Sequence, residues 1–254
     1  MKLYFAGAIS FLPLVKEVGI KNILVSYFEL GKNVTLKNLY NQGFNIMLDS
    51  GAYSFAVSER QNRVDFDKYL VDYISFLEKN KKYVESYVEL DIDNVVGVEK
   101  VKQYRKIMET YNLQPVVVWH PIRGKAAWIQ HCKDYARIGF NTIKDVKTAQ
   151  QVGWLLKQSE KYGAKVHGFG TTKANFMKNN PFYSVDSTSW MSGGRYGSFY
   201  YFNGKTLNCL QPDKFKQLFG KQFNLLSYKK LDKWNLIQWK KYADYLEERD
   251  NNGN

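Results

Sequence analysis

Eight short apolar or β-branched runs recur along the chain: LYFAGA, NILVSYF, NIMLDSG, SYVELDI, QPVVVWH, FNTIKDV, AKVHGFG and FYSVDST. Stretches of helical period separate most of them. From Asp65 to Lys79, for example, Phe66, Tyr69, Leu70, Tyr73, Ile74 and Leu77 share one helical face. This alternation constrains the fold more than any other feature, because parallel strands joined by helices bury both faces of their sheet. Eight such units in 254 residues fit an α/β protein of the (β/α)8 TIM-barrel type, with a doubly wound open sheet as the competitor. The sequence has no Gly-rich dinucleotide fingerprint; GFGTTK is too short for a P-loop and SGGRYG lacks its lysine.

From about Gln211 the pattern turns helical, with Pro212 near a helix start. Trp234, Ile237, Tyr242 and Leu246 are expected to pack inward, and the closing RDNNGN to fray. No linker or low-complexity segment interrupts the chain, so residues 1–254 are expected to form one domain with C-terminal helices.

Hydrophobic residues make up 44% of the sequence, too many for a disordered chain. No apolar run approaches the ~18 residues of a membrane span. Gly7, Ser10 and Pro13 interrupt the N-terminal apolar stretch, which reads as a first strand and loop rather than a leader. Cys132 and Cys209 lie far apart and outside any CxxC pair, so neither a disulfide framework nor a cysteine zinc site is expected, and a cytoplasmic setting is. The net charge of +13 together with 19 Tyr, 16 Phe and 6 Trp suits a nucleic-acid partner, whose phosphates attract lysine and whose bases stack on rings. A lysine-rich solvated surface over an aromatic core has the same composition.

In a barrel of this type, side chains at the C-terminal strand ends converge on one face. Asp49 ends NIMLDSG, Asp91 and Asp93 end VELDID, His120 ends VVVWH, Gly168, Phe169 and Gly170 end KVHGFG, and Asp186 ends YSVDS. Asp and Gly also mark ordinary strand-to-loop turns, so each residue alone has a structural alternative. Five strands delivering polar ends together point to a site.

These residues carry a resemblance. LDSGAYS resembles the DSGG(Y/F)Q motif of tRNA-guanine transglycosylases, and VDSTSWMSGGRYG, with Arg195 nine residues after Asp186, resembles their FDCVxPTRxGRNG segment. Between them ELDID, VWHP and HGFGTT fall where the family has FDE, VQGG and GGLxVGE, and YFNGKTLN follows where it has a short hairpin. The likeness spans about residues 45 to 208. The family's CxCxxC zinc motif and RNA-binding extensions are absent, so the chain looks most like the compact phage or genomic-island members that place 7-deazaguanine bases in DNA.

The resemblance implies base exchange without a cofactor. Asp186 would attack C1′ to form a glycosyl ester, as in retaining glycosidases, and Asp49 would move protons to and from the departing and arriving heterocycles. Asp91, with Asp93 as the competing reader, would accept from the N1–H and N2–H donors of guanine. His120 would bond the purine carbonyl and Tyr53 would stack on the base. Ser50 and Gly51 belong to the same motif as Asp49. The backbone of Gly168, Phe169 and Gly170 would approach the base closely, and Arg195 would hold a phosphate or orient Asp186. The expected partners are nucleic acid, DNA favoured and tRNA possible, and a free guanine or 7-deazaguanine. Two other functions compete: metal-dependent hydrolysis using His120, His167, Asp49 and Asp186, without HxH or HExxH spacing to support it, and a catalytically silent barrel that binds nucleic acid or a modified base.

Overall fold

The computed structural model describes residues 1–31, 34–52, 54, 65–220 and 228–251. Eight parallel strands form one sheet: β1 (Lys2–Ala6), β2 (Asn22–Ser26), β3 (Asn45–Asp49), β4 (Ser86–Tyr87), β5 (Val117–Val118), β6 (Arg137–Asn141), β7 (Lys165–Phe169) and β8 (Ser184–Ser187). Their order is β4-β3-β2-β1-β8-β7-β6-β5. A parallel bridge between Val88, just past β4, and Val116, just before β5, joins the two ends and closes the (β/α)8 barrel. Each of the eight apolar runs overlaps one of these strands.

Strand parity sorts the side chains. In β1 Leu3 and Phe5 pack into the main core with the helices, while Tyr4 turns into the barrel lumen beside Met47, Val88, Val116 and Val118. Both environments are apolar, which is why the strands read as nearly continuous hydrophobic runs. The same period of two carries Asp49 to Met47's side of β3, and His120 to the side of Val118.

Two features depart from the expected pattern. FNTIKDV contains only the last two residues of β6, whose sequence is RIGFN. The Asn141 side chain accepts from the N–H groups of Ile143 and Lys144 and bends the chain into a turn. Gly139 hides the strand in the sequence but is needed in space: a Cβ there would lie 2.6 Å from the Phe169 ring and 2.7 Å from the His167 carbonyl.

After β8 the chain forms an antiparallel hairpin, β9 (Phe199–Phe202) and β10 (Leu207–Leu210), at the place of YFNGKTLN. Helices Pro212–Phe219 and Tyr228–Asn251 follow. The last helix buries Leu231, Asn235, Leu236, Trp239, Tyr242 and Leu246. The expected face is therefore out of phase at Trp234 and Ile237, which are only partly buried. Two amides explain the shift, because they satisfy the backbone of β9: Asn235 accepts from Tyr200 N–H and Gln238 from Phe202 N–H. Among the described residues no helix is long and apolar enough to cross a membrane.

Candidate active site

At the C-terminal mouth of the barrel a cavity of about 160 Å³ is lined by Leu24, Asp49, Val88, Asp91, Val118, Asn141, Phe169, Gly170 and Asp186. That is below the ~300 Å³ of ordinary small-molecule pockets and suits a single ring-sized group. Three aspartates, at the ends of β3 and β8 and in the segment after β4, therefore face one small, half-apolar space.

Asp186 is the most firmly oriented. Its Oδ1 accepts from the Gly170 N–H at 2.8 Å and lies 3.2 Å from His167 Nε2, whose other ring nitrogen is 2.8 Å from Ser184 Oγ. Both contacts fall on one oxygen, so they fix the carboxylate's plane without engaging Oδ2. Gly170 reaches Asp186 because its φ of +64° lies in the left-handed region that glycine favours.

Asp49 has a contrasting setting. Its one backbone bond comes from the Gly51 N–H, at 3.1 Å. Burial pushes its pKa up to about 7, and the charges of Asp91 and Asp186 add to the rise while the Gly51 bond opposes it. A carboxyl that gains and loses a proton near neutrality is matched to acid–base work.

Asp91 is paired rather than isolated. Its Oδ1 lies 2.6 Å from His120 Nε2, and His120 Nδ1 lies 3.0 Å from both oxygens of Asp145. Asp145 is held in turn by the Asn141 N–H at 2.8 Å. Burial alone would depress the histidine, but the bonds to Asp145 and Asp91 outweigh it and push its pKa up to about 10. His120 is thus an imidazolium between two carboxylates, and its ring is committed to them rather than to a purine carbonyl.

Several expected residues are placed elsewhere. Asp93 turns away from the cavity and takes Arg123 in a bidentate pair, both contacts at 2.6 Å, so it does not compete with Asp91 as a reader. Beside it the buried Glu89 takes Arg105 and the Val118 N–H. Ser50 is buried, with its carbonyl bonded by Tyr69, and serves the turn behind Asp49. Gly51 belongs to the same turn: a Cβ would meet Phe28 at 2.8 Å and Ser26 Oγ at 2.9 Å. Gly168 does not line the cavity; its missing Cβ makes room for Thr142 and Phe182. Phe169 lines the cavity, and its ring stands 4.4 Å from the His167 ring. Tyr53 and the Arg195 side chain lie outside the described residues, although the Arg195 backbone sits in the helix Ser192–Tyr196 that follows β8.

Three participants were not among the expected substrate-site residues: Asn141, Asp145 and the pairing of His167 with Asp186. Among the described residues no cluster of three or more His, Cys, Asp or Glu is arranged to hold a metal ion.

No protein-family model matches the chain, and no curated protein matches it. Among solved structures it is similar to D-psicose 3-epimerase from Clostridium cellulolyticum H10, crystallised with D-tagatose. The TM-score is 0.50 and the identity 11%, over 97% of this chain and 99% of that one. At that identity the likeness bears on the barrel alone, and the chemistry has to be argued from the residues.

Proposed function

We propose that the protein exchanges a base in nucleic acid, DNA in preference to tRNA, replacing guanine with a 7-deazaguanine-type base through a glycosyl ester on Asp186. The observation that carries this reading is that Asp49 and Asp186 open on one ring-sized cavity in opposite settings, one poised to titrate and the other locked by bonds to a single oxygen. The strand-end motifs that hold them are those that resemble the transglycosylases.

The chemistry follows from those settings. The Asp186 carboxylate forms a bond to C1′ as the C1′–N bond to guanine breaks, and protonated Asp49 delivers its proton to the departing base. The incoming base gives a proton back to Asp49 and attacks C1′, displacing Asp186, so configuration is retained after two inversions. Asp91, ion-paired with His120, accepts from guanine-type N–H donors, a pattern that adenine does not present. The Phe169 ring offers a face for the base. This reaction calls for no metal or cofactor.

The test is a covalent trap. With DNA or tRNA present and no incoming base, a denaturing gel should show a shifted protein band, discharged by guanine or a 7-deazaguanine and never formed by Asp186→Asn. A band that persists in Asp186→Asn would assign the nucleophile elsewhere, and a band with tRNA alone would reverse the preference for DNA.

A further inference from the structure

A second groove adjoins the candidate active site. It has a volume of about 280 Å³ and lies between the loops that follow β6 and β7. The two are lined by consecutive residues: Asn141 and Gly170 line the catalytic cavity, and the next residues, Thr142 and Thr171, line the groove. Whatever occupies the cavity and continues as a chain has this groove as an immediate neighbour.

The groove has a definite chemistry. Lys147 and Lys173 stand on its walls, both exposed and without an ion pair among the described residues. Val146 and Phe176 give it an apolar floor, and no carboxylate lines it. Across the four loops that follow β5 to β8 the single acid is Asp145, and its oxygens are committed to His120 and the Asn141 N–H. Ile122 and Ile143, on the loops after β5 and β6, are 73% and 59% exposed, so the basic rim also presents apolar side chains to solvent. Positive charge beside apolar surface, with no competing anion, matches a sugar–phosphate backbone whose bases are unstacked.

We infer that the β6–β7 groove seats the nucleotide next to the one whose base enters the catalytic cavity, with Lys147 and Lys173 on its phosphates and Val146 and Phe176 under its sugar or base. This rests on the base-exchange reading for what lies in the cavity. It adds the direction in which the strand leaves and the residues that hold it. Extruding one nucleotide from a stack gives up its stacking and pairing, and contacts to its neighbour are a means of offsetting that loss.

The experiment is DNA-oligonucleotide binding by fluorescence anisotropy over a range of salt concentrations, for the full chain and for Lys147→Ala/Lys173→Ala. The double variant should lower the slope of log affinity against log salt by about two, roughly one for each lysine removed. The loss should be the same for all sequences, and Lys147→Arg/Lys173→Arg should restore the slope. The thermal midpoint should not move, because both side chains are exposed. An unchanged slope in the alanine variant overturns the groove assignment, as does a loss of slope that arginine does not restore. The two readings fail differently: DNA binding with the expected slope change but no covalent band would remove base exchange and keep the groove as a strand site. No binding of DNA or tRNA by the full chain would remove both.

Discussion

The two ends of the barrel treat half-buried acids in opposite ways. At the N-terminal end Glu85 is met by Lys2, by the Tyr4 hydroxyl at 2.8 Å and by the Tyr183 hydroxyl at 3.5 Å, while Arg137 bonds its backbone carbonyl. Burial pushes Glu85 up, but Lys2, Tyr4 and Arg137 outweigh it and leave its carboxyl below the ordinary value. At the C-terminal end Asp49 has a single amide and two neighbouring aspartates, and its pKa rises to about 7. A cavity of about 800 Å³ adjoins Glu85, five times the size of the one beside Asp49, so volume and the setting of the acids point to different ends. What separates the ends is compensation. A charge surrounded by partners holds strands together, whereas one left uncompensated is a cost that a purely structural site has no reason to bear.

The strongest way to break this comparison is Asp49→Asn. Exchange should slow by about 10²-fold or more, the usual scale for losing a general acid–base group, while the protein becomes more stable at high pH. The sign follows from the raised pKa. Between the ordinary value of 3.8 and about 7 the native state holds a proton that the unfolded chain has lost. Wild-type stability therefore falls as pH rises through that window, by at most ~1.4 kcal/mol per pH unit. The variant lacks this loss, so its advantage in chemical denaturation should be full above about 7 and absent below 3.8. An Asp49→Asn protein that is equally active, or less stable at every pH, would make Asp49 a turn acid.

The converse substitution is Glu85→Gln. It removes a charge whose partners remain in place, and the cost should be about 1–3 kcal/mol of stability with no change in exchange. Because Glu85 is held below the ordinary carboxylate value, its contribution is present above that value and lost as pH falls through the depressed one. The difference between Glu85→Gln and wild type should accordingly shrink on acidification. Impaired exchange in a stable Glu85→Gln protein would mean that the two ends are functionally connected.

The architecture was legible because buried parallel strands leave near-continuous apolar runs, and strand ends are where a barrel places its polar groups. Asp49, Asp91, His120 and Asp186 all carried that positional signal, and the structure brings all four to one mouth. Asp145 carried none. With FNTIKDV read as a strand it fell inside the element, and only the true end of β6 at Asn141, set by the turn that Asn141 caps, frees it to reach His120. Asp91 and Asp93 were indistinguishable in sequence, since two residues apart in a strand share a face. The chain leaves the strand before them and starts a helix at Asp93, which sends that carboxylate to Arg123 instead. Such outcomes depend on a partner some thirty residues away and leave no local trace.

The smallest expected effect, and the one that refines the comparison most, is that of Asp145→Asn. At the mouth the His120 cluster is compensated where Asp49 is not, and Asp145 reaches the cavity through the His120 ring and through the Asn141 N–H. With Asp145 neutral, the pKa of His120 should move down from about 10 toward its ordinary 6.5, because burial opposes the charged ring and one of its two carboxylate partners is gone. A raised histidine pKa contributes stability that is fully present below 6.5 and lost as pH rises through about 10, so Asp145→Asn should be less stable than wild type at low pH and converge with it above about 10. Under the proposed base exchange, the functional consequence lies in base recognition. Asp91 loses its cationic partner when His120 deprotonates, so KM for the incoming base should rise at a lower pH in Asp145→Asn than in wild type, with kcat little changed. A purely structural Asp145 would alter stability and leave the KM profile where it was, and ring-nitrogen NMR of His120 would show directly which protonation state the substitution leaves.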